Sequence, residues 1–143
     1  MGLVVKRGEW LEFDRPFAAW AYTVSFAQLL LRSNKDGRET RVDIGFSGVQ
    51  GVLLKPRCPS LVIRPADEAE VAMVRSVLGL DDAADRDFWA VGELEHPGFV
   101  VASDVQWYED EGDFTDPSEV FLPAGPFSGL VRDEAWGPTP ESD

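Results

Sequence analysis

Hydrophobic and polar residues alternate with a period of two along much of the first half of this chain. Over residues 22–32, Tyr22, Val24, Phe26 and Leu30 fall on one side, interrupted by Gln28. Residues 40–46 alternate more cleanly: Val42, Ile44 and Phe46 face one way, Arg41 and Asp43 the other. A half-buried antiparallel strand has this pattern. Between the two runs, Ser33-Asn34-Lys35-Asp36-Gly37-Arg38 offers residues that accept left-handed or positive-φ backbone, which predicts a hairpin. Gly48, Gly51 and Pro56 punctuate two shorter strands, 49–54 and 61–64. Pro56 and Pro59 flank Cys58 and lack the N–H a ladder needs, so 55–60 reads as a connection.

The period changes after Pro65. Asp67 followed three residues later by Glu70 is the spacing of a capping box. Val71, Val74, Val77 and Leu78 then make an apolar stripe at helical spacing, and Gly79 supplies a stop. An amphipathic helix over 67–78 is expected, with acid in its first turn as the helix dipole favours. A polar stretch, 81–87, leads to a second strand pair, 88–94 and 99–109, joined by Glu95-His96-Pro97-Gly98. On the second of these Phe99, Val101, Val105 and Trp107 share a face, broken by Ser103. Four of the ten prolines, Pro123, Pro126, Pro138 and Pro140, fall near the C-terminus. That predicts an irregular end with residues 137–143 disordered, and Phe121, Phe127, Leu130 and Trp136 as points where it could attach.

These elements imply one α+β domain spanning 1–143, with no internal repeat and no dividing linker. Its centre is a twisted, mostly antiparallel sheet of about six strands, or a small sandwich or half-barrel if the sheet curves, with the helix on one face. A length of 143 residues and 44% hydrophobic residues suit such a domain. One cysteine permits no internal disulfide, which fits a reducing compartment. No apolar run approaches the ~18 residues of a membrane span, and the N-terminus lacks the order of a secretion signal. A cytoplasmic location is expected.

Charge changes the picture most. Residues 1–65 carry ten Lys/Arg against six Asp/Glu, a balance of +4; residues 66–143 carry three Arg against twenty Asp/Glu, a balance of −17. Such an excess opposes nucleic acid, whose phosphates need a basic footprint, and anionic membrane surfaces. It suits a basic protein partner.

The candidate chemistry is sparse. Cys58, beside Arg57, and His96 are the only cysteine and histidine, too few for a zinc site without carboxylates. Nothing in their spacing makes a nucleophile–base pair. The glycines of Gly45-Phe46-Ser47-Gly48-Val49-Gln50-Gly51 lack the order of a dinucleotide fingerprint and fit a bulge or a bend where a strand changes direction. Two acidic clusters, Asp81, Asp82, Asp85 and Asp87, then Glu109, Asp110, Glu111, Asp113 and Asp116, do not reproduce the ligand order of a calcium loop. No catalytic residue, metal site or cofactor is therefore expected. Tyr108, Glu109, Asp110, Glu111, Asp113 and Phe114 combine aromatics with acid, the composition of a surface that draws in and anchors a basic partner. The expectation is a small acidic binding protein that masks a basic protein, such as a toxin or nuclease, as an inhibitor or immunity protein does. The alternative is a small-ligand module or enzyme with a pocket in a curved sheet.

Overall fold

The helix forms where its signals put it. The Asp67 carboxylate accepts from the Glu70 N–H at 2.8 Å, and the Glu70 carboxylate accepts from the Asp67 N–H at 2.9 Å. This closes the capping box at the start of α1 (Glu68–Leu78). Gly79, at φ 69°, ends it in the left-handed conformation and donates to the Arg75 carbonyl. The computed structural model describes residues 2–4, 10–24, 27–35 and 37–112. Phe121, Phe127, Leu130, Trp136 and the tail at 137–143 lie outside them.

Eleven strands accompany the helix: β1 (Gly2–Val4), β2 (Leu11–Phe13), β3 (Phe17–Thr23), β4 (Gln28–Ser33), β5 (Arg41–Ser47), β6 (Gly51–Leu53), β7 (Arg57–Cys58), β8 (Leu61–Pro65), β9 (Phe88–Gly92), β10 (Pro97–Val101) and β11 (Asp104–Asp110). They form two antiparallel sheets that do not close into a barrel, one in the order β1-β11-β5-β4-β3-β7, the other β2-β8-β9-β10-β6. The fold is thus α+β and mostly antiparallel, in the two-sheet form instead of a single sheet of about six strands. Phe17, Leu31, Ile44, Phe46 and Val105 of the first sheet meet Leu61, Ile63, Trp89, Val91 and Val100 of the second in the main core. A second core lies under α1, where Val71 and Val74 pack on Phe88, Ala90, Phe99 and Val101. Val77, expected in that stripe, is exposed.

The 33–40 hairpin is present: Leu29 to Ser33 pair with Phe46 to Val42 in register. Three expectations need correction. Residues 22–32 are two strands, because the chain reverses between β3 and β4 with Ala27 at φ 49°. No Gly, Pro, Asn or Asp marks that reversal. Residues 99–109 are also two strands, β10 in one sheet and β11 in the other; Ser103, which broke the apolar face, lies at the crossing. And 55–60 contributes β7, which pairs Cys58 with Phe17 at the edge of β3.

Gly48 and Gly51 mark the other passage between sheets, from β5 to β6. Gly48 has φ 65°, a conformation that favours glycine, and a Cβ on Gly51 would sit 2.5 Å from Leu78 Cδ1, so Leu78 packs directly on the backbone there. The two passages hold each other: Ser103 N–H donates to the Ser47 carbonyl at 2.9 Å and Gln50 N–H to the Val101 carbonyl at 2.7 Å. No described helix is long and apolar enough to cross a membrane.

Candidate functional site

Strand β11 runs beside β5, which runs beside β4, so their alternate residues form rows across the outer face of the first sheet. One row places Tyr108 opposite Asp43 and Asp43 opposite Arg32. Arg32 donates to both Asp43 oxygens, Nε to Oδ1 at 2.7 Å and Nη2 to Oδ2 at 3.1 Å, and both side chains are 1% exposed. The Trp20 ring lies 5.3 Å from that guanidinium, a cation–π distance. In the next row Arg41 grips Asp110 the same way, at 2.7 and 3.0 Å, and its Nε stands 4.0 Å from Asp43 Oδ2. Arg41 and Asp43 were expected to face solvent; both are buried. Paired opposite charges satisfy each other's hydrogen bonds, which is what permits burial.

The six partner-binding candidates divide. Asp110 holds Arg41 and also accepts from the Gly112 N–H at 2.9 Å. Burial pushes its carboxyl up, but hydrogen bonds from Arg41 and Gly112 outweigh that and hold it below the ordinary carboxylate value. A Cβ on Gly112 would lie 2.5 Å from Arg41 Nη2, so the turn at 112 closes directly over the guanidinium. Glu109 accepts from Thr40 Oγ1 at 2.6 Å. Tyr108 is half-buried, as is its neighbour Trp107, which turns inward against Phe13 at 5.5 Å. Glu111 is exposed. Asp113 and Phe114 lie outside the described residues, as does Asp116 of the same acidic run.

Five basic side chains form ion pairs among the described residues. Besides Arg32 and Arg41, Lys55 pairs with Glu93 at 2.9 Å, Arg64 with Glu70 at 2.8 Å, and Arg75 with Asp85. Asp81, Asp82, Glu95, Asp104 and Glu111 stand exposed. Among the described residues no group of three or more His, Cys, Asp or Glu is placed to hold a metal ion.

Cys58 and His96, distant in sequence, line one open cleft of about 800 Å3 together with Val52, Leu54, Lys55 and Val91. No hydrogen bond joins them. Cys58 is buried, and that burial pushes its thiol up against the opposing pull of Lys55. At neutral pH it is a thiol and not a nucleophilic thiolate. The adjacent Arg57, whose positive charge could lower a thiol pKa, lines a different cleft. The spacing of 58 and 96 gave no sign of their convergence, because it depends on β7 joining β3 while the 93–98 turn joins β9 to β10. No protein family, curated protein or solved structure matches this chain.

Proposed function

We propose that this is an acidic binding protein that masks a basic protein partner in the cytoplasm, in the manner of an inhibitor or immunity protein against a toxin or nuclease. The observation that supports the reading is the disposition of charge. Four basic side chains of the +4 half, Arg32, Arg41, Lys55 and Arg64, are held against carboxylates, two of them inside the fold, while Asp81, Asp82, Glu95, Asp104 and Glu111 remain exposed. With a net charge of −13 the outward field is acidic, and such a field steers oppositely charged partners.

Tyr108, Glu109, Asp110, Glu111, Asp113 and Phe114 are the proposed contact region. Within it, Asp110 positions the segment through Arg41, and Glu111 and Asp113 meet the partner. The test is a pull-down at low and high salt, followed by association kinetics with the basic protein recovered. Glu111→Lys with Asp113→Lys should slow association and flatten its dependence on salt, and Glu111→Lys alone should leave the melting temperature within about 2 °C, since Glu111 is exposed and exposed charges contribute little to stability. Association at the wild-type rate at low salt would sink the reading.

A second reading, binding of a small ligand, draws support from the cleft shared by Cys58, His96 and Lys55. It combines an apolar lining with a few polar groups, as ligand sites do.

A further inference from the structure

A second cleft, of about 570 Å3, opens on the other side of β7. Phe17 and Cys58, both buried, belong to its wall, and Arg57, Asn34 and Arg32 bring polar groups to it. Among the described residues no carboxylate lines it, on a chain with 26 acids and 13 bases. Arg32 is neutralised by Asp43 behind it. Arg57 is exposed, and among the described residues it has no ion-pair partner, unlike Arg32, Arg41, Arg64 and Arg75. Its backbone is pinned by pairing with Ala18, so the base of the side chain is fixed at the rim.

Asn34 adds two features. Its main-chain carbonyl accepts from Arg15 Nη2 at 3.2 Å, and Arg15 otherwise bonds the Ser33 hydroxyl and the Ser33 and Thr40 carbonyls, all neutral. Arg15 is thus bonded to no acid, although the Glu109 carboxylate acts on it at longer range. The Asn34 side-chain oxygen has no hydrogen-bond partner, so the amide can turn its NH2 into the cleft without giving up a bond made by that oxygen.

We infer that this cleft binds a small oxyanion, a carboxylate or a phosphate, held by the fork of Arg57 and the amide of Asn34. A guanidinium fork matches either group through two parallel hydrogen bonds. The inference is independent of the partner reading, because it uses a concavity lined by cations and, among the described residues, by no carboxylate.

Titration of the full chain with inorganic phosphate, with acetate, and with chloride at equal ionic strength, followed by amide NMR, tests it. Saturable shifts at Asn34, Ala18 and Arg57 are expected with phosphate, acetate or both, and not with chloride; which anion saturates identifies the source. Arg57→Gln should weaken binding by about tenfold or more, as loss of a charge-assisted hydrogen bond does. Lys55→Gln removes the same charge from a side chain that is paired with Glu93 and does not line this cleft, and should change affinity by less than about twofold. Shifts that chloride reproduces, or saturable binding that Arg57→Gln leaves intact, would overturn the inference.

Discussion

The outer faces of the two sheets are covered by opposite chemistry. The five-stranded sheet lies under α1, and the contact is apolar: Val71 and Val74 on Phe88, Ala90, Phe99 and Val101. The central strands of the six-stranded sheet carry buried charge outward instead, with Arg32 on Asp43, Arg41 on Asp110 and Trp20 over Arg32. An apolar cover tolerates small losses in proportion to area removed from water. A buried ion pair is different: its members are expensive to desolvate, so removing one leaves the other stranded.

The sharpest way to break the comparison is Asp43→Ala. It should cost about 3–5 kcal/mol in urea unfolding, because Arg32 stays buried without its acid. The double variant Arg32→Met with Asp43→Leu should recover most of that loss. If the single variant costs under about 1 kcal/mol, the surface-pair range, the outer face is not the buried network described. On the apolar side, Val74→Ala should cost about 2 kcal/mol by emptying a fully buried position. Val77→Ala, three residues on and 60% exposed, should cost no more than about 0.5 kcal/mol.

Acid separates the ion pairs from the apolar contacts. Asp110 and Glu70 both have folded-state carboxyls held below their ordinary values, Glu70 by its hydrogen bond from Arg64. Each therefore contributes stability that is complete above the unfolded carboxylate range of about 4 and is lost as pH falls through the lower folded value. Asp110→Asn should lower stability at neutral pH and shrink the further loss on acidification below about pH 4. Val74→Ala should lower stability equally at both pH values. A gain instead of a loss is expected at Thr23, whose hydroxyl is buried without a partner. Thr23→Val removes an orphan polar group at constant shape and should raise stability by about 1 kcal/mol, read from the urea midpoint.

The same contrast explains what could be read from the chain. The helix and the 33–40 hairpin were legible because their signals are local: a capping box with a glycine stop, and a turn built from residues suited to it. The β3–β4 reversal was not, since Ala27 adopts a positive φ that alanine seldom takes and only tertiary pairing enforces. Arg41 and Asp43 resembled solvent-facing positions, as alternation distinguishes apolar from polar and not exposed from paired. Within the candidate site, the acidity of residues 109–111 was plain, but the use of Asp110 was not, because its partner Arg41 lies 69 residues earlier. The convergence of Arg57 with Asn34 was hidden for a similar reason, as it depends on a two-residue strand between prolines.

The paired passages between the sheets have a mechanical consequence. Ser47 with Ser103, and Gln50 with Val101, sew the layers together at one end, whereas both clefts open toward the other, near the short β7. A sandwich stitched along one seam is stiff there and compliant at its mouth. Amide exchange should therefore be slow at Gln50 and Ser103 and faster at Cys58, so that ligand entry on either side of β7 need not disturb the seam on which the fold depends.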